Sequence, residues 1–344
     1  MKFLYIVLFS VGFIACKPTN TNEAVNTDSD STAMEVDSLQ FLSEQIQKNA
    51  SDATAWADRA QYFFRIGNVK DAKHDFEEAI LRDSTNAAYR SRYADVLIAF
   101  LDLSGAKYNY EYALKYDSLN ARAYVGLGHI YALIDNPGMA TVYLNKAYGI
   151  NRNLPEAYFL EGLIYRADFD KTKREESWKR SKSSFQTATE LDPDYYEAFL
   201  MLGDMNSAED NDLAIDYYAS AIDIAPKSSQ AWYAKGGYYQ NHEKYEQAKY
   251  CYRKILSFDS TYFDAVYNQG YIQLTIDKDF DSAIYFFEKS IVIDSLSARA
   301  YNNLGLAQEY KGDNAQAIAS YKKALEIDPK FELAEKNLRI VTNK

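Results

Sequence analysis

Small residues recur along most of the chain in two interleaved tracks. Ala60, Ala94, Gly128, Gly162, Gly203, Gly236, Gly270 and Gly305 form the first, and Ala72, Ala106, Ala140, Ser181, Ala214, Ala248, Ala283 and Ala317 the second. Both advance by roughly 34 residues, the period of stacked helical hairpins. Around each small position, large apolar residues fall at helical spacing. The stretch 298–331 shows the unit: Tyr301, Leu304, Gly305 and Gln308 before a Gly312-Asp313 turn, then Ala317, Tyr321, Ala324 and Pro329. The pattern predicts two antiparallel helices crossing where Gly305 meets Ala317, because a larger side chain there would push the backbones apart. Asp328-Pro329 ends the second helix, since a residue before proline is disfavoured in helical conformation.

The pattern predicts an all-α chain with eight such units, at 53–86, 87–120, 121–154, 155–195, 196–228, 229–262, 263–297 and 298–331. Leu39, Leu42 and Ile46 mark an amphipathic capping helix over 37–52, and Leu333, Leu338 and Val341 another over 332–344. Such ends cover the apolar face that a stacked array would otherwise expose. Three irregularities fall inside hairpins. The step between the two small residues is longer by 7 from Gly162 to Ser181, shorter by 1 from Gly203 to Ala214, and longer by 1 from Gly270 to Ala283. Seven residues is about two helical turns, so both helices of the fourth unit are expected to gain one turn. The added stretch, 168–182, carries Lys171, Lys173, Arg174, Lys179, Arg180 and Lys182 around Trp178 and reads as a solvated extension.

The recurrent large residue, leucine–glycine pair, aromatic, alanine, aromatic, alanine and proline resemble the tetratricopeptide repeat. Trp56, Ala60, Phe63, Ala72, Phe76 and Ala79 carry it in the first unit, and Trp232, Gly236, Tyr239, Ala248 and Tyr252 in the sixth. The closing proline stands at Pro193, Pro226 and Pro329, whereas other units end in Asp-Ser, at Asp83, Asp117, Asp259 and Asp294. Aspartate and serine are helix N-caps, so these pairs are expected to start the following helix. The resemblance implies a right-handed superhelical solenoid whose first helices line an inner groove.

The N-terminus has a different character. Met1-Lys2 precede an apolar run, Phe3 to Ile14, too short to span a bilayer but laid out as a signal peptide over 1–15. Phe13-Ile14-Ala15-Cys16 resembles the lipobox of bacterial lipoproteins, which implies lipidation of Cys16, by palmitate among other chains. Acyl chains hold a protein at a bilayer without a membrane-spanning segment. Residues 16–36 are rich in Thr, Asn, Ser and Asp and read as a tether. Lys17 is not the aspartate that retains some lipoproteins in the inner membrane, so the resemblance implies an outer-membrane lipoprotein of the cell envelope facing the periplasm.

Charge and chemistry narrow the function. The net charge of -11 argues against nucleic acid as a partner. Cys251 is the only cysteine besides Cys16 and has no recurring histidine near it, which fits a bystander thiol. His74, His129 and His242 fall in different units. Without paired cysteines, a His-Glu-x-x-His motif or a phosphate loop, the sequence gives no metal, cofactor or catalytic site. An enzyme is therefore not expected.

The resemblance implies that inward positions fall one and five residues after the large opening residue. They hold Phe159, Leu200, Tyr233 and Tyr267, then His129, Leu163, Asp204, Tyr271 and Leu306. Asn268, Arg299, Asn302 and Asn303 sit beside this aromatic stripe. The carboxylate clamp of chaperone-binding repeats is incomplete, because Tyr233 and Gly237 stand where its lysine and second asparagine should be. Aromatic anchors with amides suit an extended peptide or a partner helix. The expected function is a membrane-anchored scaffold binding a protein or peptide in a cell-envelope complex. The alternative is a nutrient-uptake accessory lipoprotein that stacks glycans or small molecules on the stripe.

Overall fold

The computed structural model describes residues 28–343, with side chains from residue 38 onward. Among the described residues there are eighteen α-helices and no strand. Helix α1 (Asp28–Lys48) precedes eight hairpins: α2 (Ala53–Arg65) with α3 (Val69–Arg82), α4 (Ala87–Ala99) with α5 (Leu103–Tyr116), α6 (Ala121–Leu133) with α7 (Pro137–Ile150), and α8 (Pro155–Thr172) with α9 (Glu175–Leu191). They continue as α10 (Tyr196–Ala208) with α11 (Leu213–Ile224), α12 (Ser229–Asn241) with α13 (Tyr245–Phe258), α14 (Phe263–Ile272) with α15 (Phe280–Ile293), and α16 (Ala298–Lys311) with α17 (Asn314–Ile327), before α18 (Glu332–Thr342). The hairpins fall into two compact blocks, one ending at Ala198 and the other beginning at Phe199.

Both small-residue tracks are buried at the helix crossings, and the second track, Ala72 through Ala317, has zero exposure throughout. The reason for glycine is an aromatic ring from the second helix. A Cβ on Gly162 would lie 2.6 Å from Phe185, on Gly203 2.5 Å from Tyr218, and on Gly305 2.8 Å from Tyr321. Protein interiors have no room for such overlap. Each core continues into the next repeat: Ala94, Ala106 and Tyr110 pack with Ala123 and Leu127 of α6, as Ala248 and Tyr252 pack with Ala265 and Ile272 of α14. The repeats thus share their cores with their neighbours, as the one-dimensional architecture requires.

Every hairpin turns through one residue with positive φ. Gly67 and Gly312 do so without a Cβ, whereas Leu101, Asp135, Lys173, Asp210, Glu243 and Lys278 hold φ near 60°. The length irregularities are absorbed locally. In the fourth unit α8 and α9 have 18 and 17 residues, against 13 and 14 in the first. The shortened unit takes its loss at the start of α11, which has 12 residues. The single extra residue of the seventh unit becomes a π-helical turn, Gln273–Asp277, the way helices commonly accommodate an insertion.

Several expectations need correction. The Asp-Ser pairs do not cap the following helix. Asp83, Asp117, Asp259 and Asp294 end the preceding helix and accept from the backbone N–H two residues on, at 3.0–3.2 Å. Asp192 and Asp328, which precede proline, do the same at 3.0 Å, whereas the Ala225-Pro226 boundary has no such aspartate. After Asp83, Asp117 and Asp294 the N-caps lie further on, at Asn86, Asn120 and Ser297, while the helix after Asp259 starts from Tyr262 without a side-chain cap. The stretch 168–182 is more than a solvated extension. Trp178 is buried on Phe169 with ring centroids 4.7 Å apart, and the Arg166 guanidinium lies 4.8 Å over it. At the ends, α1 already runs from Asp28 rather than from 37, consistent with the helix-initiating Asp and Ser residues there. In α18 it is Ala334 and Val341 that are buried while Leu333 is exposed. Helical rotation places Ala334, one position on, against the core.

Candidate functional site

In the first block, the first helices of the second, third and fourth hairpins enclose a cavity of about 110 Å³. It is assembled by one aspartate. Tyr110 on α5 donates its hydroxyl to Asp95 Oδ1 at 2.5 Å, and Arg122 Nε on α6 donates to Asp95 Oδ2 at 2.7 Å. Tyr110 reaches that far because the residue facing it is Gly126, where a Cβ would lie 2.1 Å from the ring. Asp95 raises the Arg122 pKa further by attraction. Tyr110, fully buried beside the same carboxylate, has its phenol pushed well above the ordinary value by desolvation first.

The remaining walls are mixed. Val125, Leu154, Phe159, Leu160 and Leu163 are apolar, and the Phe159 and Tyr195 rings pack 5.1 Å apart. His129 and Glu156 complete the lining. Desolvation holds the His129 imidazole down to about 4, so it is neutral at pH 7. Next to Tyr195, burial pushes the Glu197 carboxyl up to about 7, with Asp192 adding to the effect. With His129 neutral, the cavity sets two carboxylates, Asp95 and Glu156, against one guanidinium.

The aromatic stripe of the second block has another character. Asn268 Nδ2 donates to the Tyr233 hydroxyl at 3.4 Å and Asn303 Nδ2 to the Tyr267 hydroxyl at 2.8 Å. The register is 35 and 36 residues, so each amide ties its own repeat to the tyrosine of the preceding one. Asn302 is buried and committed to Asn303 and Asn337, both at 3.0 Å. Tyr233 packs on Tyr252 and Tyr262 at 5.9 and 5.7 Å. Arg299 lies 4.5 Å over Tyr267 and 4.9 Å over Phe263 while pairing with Asp264 at 2.5 Å. Leu200 is buried at 3% exposure, whereas Tyr271 is 40% exposed. Tyr233, Tyr267, Asn268, Arg299, Asn302 and Asn303 are therefore linked through hydrogen bonds and ring contacts to one another or to their neighbours. Phe159 belongs to the first block and lines its cavity.

Asp95, Tyr110, Arg122, Glu156 and Tyr195 were not singled out from the sequence. Asp95 occupies the column of His129, Leu163 and Tyr271, directly after the small residue of its first helix, and extending that column one repeat back would have found it. Arg122 stands in the Ala-Arg-Ala-Tyr sequence that recurs around Arg299. Tyr110 and Tyr195 carry no such signal, because each reaches the cavity from outside the first helices.

Elsewhere in this block, the fourth hairpin and the turn of the third frame a larger opening of about 490 Å³. Leu160, Leu163, Ile164 and Ala167 floor it, and a Lys171–Asp135 ion pair crosses its edge. Cys251 is 1% exposed and burial pushes its thiol up to about 11, which leaves it unreactive at neutral pH. Among the described residues no group of three or more His, Cys, Asp or Glu is arranged to hold a metal ion, and no helix is long and apolar enough to cross a membrane. Cys16 and the 1–15 segment lie outside the described residues.

Models of the tetratricopeptide repeat match residues 121–154, 174–229, 229–262 and 298–331, so the chain carries tetratricopeptide repeats. The BBSome complex member BBS4 of Xenopus tropicalis is 27% identical over 130 residues, covering 38% of this chain and 25% of that protein. The mitochondrial import receptor subunit TOM70 of Homo sapiens is 20% identical over 278 residues, covering 78% of this chain and 40% of that protein. The chain spans well under half the length of these curated relatives. In the crystal structure of the APC/C hetero-tetramer Cut9–Hcn1, the matched chain shares the fold with a TM-score of 0.57 at 15% identity, over 99% of this chain and 62% of that one.

Proposed function

We propose that this chain is a lipid-anchored scaffold that binds a protein or peptide segment on the first-helix face of its repeats within a bacterial cell-envelope complex. The observation that carries the binding role is the cavity between α4, α6 and α8, whose polar side chains Arg122, His129 and Glu156 border a surface walled by Phe159 and Leu163. Such mixed apolar and polar lining is how proteins hold a ligand and fix its orientation. The repeats support the same reading, because stacked helical hairpins offer long surfaces and their fold is in general non-catalytic. One relative is an import receptor subunit and another a member of a multiprotein complex, which agrees with a binding role here. Fold likeness alone does not transmit function, so the cavity carries the proposal.

The anchor rests on the sequence. Phe13-Ile14-Ala15-Cys16 supports lipidation at Cys16, and with it attachment to the outer membrane facing the periplasm. Two experiments separate these claims. Labelling of cells with a palmitate analogue should mark wild type and not Cys16→Ser. Affinity capture from membrane fractions should recover an envelope partner with wild type and lose it with a folded His129→Trp variant, in which indole fills the cavity. Equal recovery with both would move binding away from this face.

A further inference from the structure

The cavity between α4, α6 and α8 is small, and a few polar side chains, Arg122, His129 and Glu156, are set in a mainly apolar wall. Its volume is about 110 Å³. Small-molecule pockets are typically several times larger. One side chain of a bound chain fills it. The lining then selects which one.

An apolar side chain would leave Glu156 and His129 without water and without a new partner, at the cost of a buried unsatisfied polar group. An acidic one would meet Glu156 as well as Asp95, and the one guanidinium in the wall is already neutralised by its bonded contact with Asp95. A basic side chain meets neither difficulty. Its charged end faces the surplus carboxylate. Its methylene stem lies along Phe159, Leu160 and Leu163, which supply the apolar part of the wall. Arg122 stays held to Asp95 and keeps that carboxylate from collapsing into the cavity.

We infer that this cavity is a subsite for a single lysine or arginine side chain of the bound partner, with Glu156 as the selecting charge. The inference rests on the proposal that a peptide segment binds this face and adds the chemistry of its anchor residue. Glu156 suits a test because it acts on Arg122 only through its charge, whereas Asp95 is bonded to Arg122 and Tyr110, so Glu156→Gln leaves those two hydrogen bonds in place.

The experiment is selection of a random peptide library on the full chain, followed by titration of retained peptides, for wild type, Glu156→Lys and Glu156→Gln. Glu288→Lys, an exposed charge reversal on α15, is the control. Wild type and control should retain peptides sharing one lysine or arginine position, and replacing that residue by norleucine should weaken binding at least ~10-fold. Glu156→Gln should weaken the same peptides less than Glu156→Lys, which should lose them roughly 100-fold, as like charges in a desolvated site demand. Retained peptides without a shared basic position, or with one indifferent to Glu156→Lys, would overturn the subsite and leave peptide binding standing. A library from which wild type retains nothing would contradict peptide binding and the subsite together.

Discussion

The same four residues, Ala-Arg-Ala-Tyr, open the first helix of the third repeat at 121–124 and of the eighth at 298–301. Their arginines do different work. Arg122 is two-thirds buried and tied through Nε to Asp95, inside a cluster that frames a cavity. Arg299 is half exposed, lies over Tyr267 and Phe263, and pairs with an Asp264 that is itself 42% exposed. The preceding repeat makes the difference. The position after its small residue is Asp95 in one case and Tyr271 in the other. In the first block that aspartate gathers tyrosine and arginine and leaves neighbouring groups open. In the second block, amides reach back one repeat and close the tyrosines into a ladder. Equivalent positions of a repeat thus line a cavity or tie one repeat to the next, according to what the adjacent repeat supplies.

Removing each aspartate should break that comparison most sharply. Asp95→Ala strands Arg122 and leaves the buried Tyr110 hydroxyl without its acceptor, and should cost ~3 kcal/mol in denaturant unfolding. Asp264→Ala exposes nothing new and should cost less than ~1 kcal/mol. Equal losses would mean that the two arginines are equivalent after all.

The next effect depends on pH. Glu197 is protonated in the fold up to about 7, against an ordinary 4.5. As pH rises across that window the unfolded chain releases its proton first, so stability falls and stays lower above pH 7. Glu197→Gln should therefore raise stability above pH 7 by ~2 kcal/mol and change little near pH 4. His129 acts in the opposite sense: its contribution is complete above its ordinary 6.5 and is lost as pH falls towards 4. Replacing Asn303 by Ala, in the ladder, should cost ~1 kcal/mol with little pH dependence between 5 and 8. The smallest effect concerns the hairpin tips. Leu101→Gly in the first block relieves a left-handed residue and should stabilise by up to ~1 kcal/mol, whereas Gly312→Leu in the second should cost a similar amount.

The fold was legible because a crossing of helices demands a small residue whatever the rest of the repeat does. Gly162, Gly203 and Gly305 therefore announce themselves, and their aromatic partners Phe185, Tyr218 and Tyr321 each stand four residues after the small residue of the second helix. The turns were less legible. Leu101, Lys173 and Lys278 adopt a conformation that nothing in their chemistry favours, imposed by the two helices they join. Asp83 and its equivalents were visible as boundaries but assigned to the wrong helix, because a side chain that accepts a backbone N–H serves either end. The cavity was least legible. The sequence pointed to Tyr233 and Tyr267 for being aromatic on the inner track, and Asn268 and Asn303 satisfy their hydroxyls in the repeat that follows. The cavity depends on a contact between Asp95 and Arg122, 27 residues apart, which a periodic reading treats as two separate columns.

The central claim is that the first-helix face of the second to fourth repeats receives a partner while the tyrosine ladder does not. It is tested most directly by placing a small diazirine-bearing residue at Val125, in the cavity wall, or at Asn303, in the ladder, and irradiating intact cells that carry the full chain. The account predicts a discrete adduct from position 125 that disappears when His129→Trp is added, and only background from position 303. Discrete adducts from position 303 with none from position 125 would contradict it.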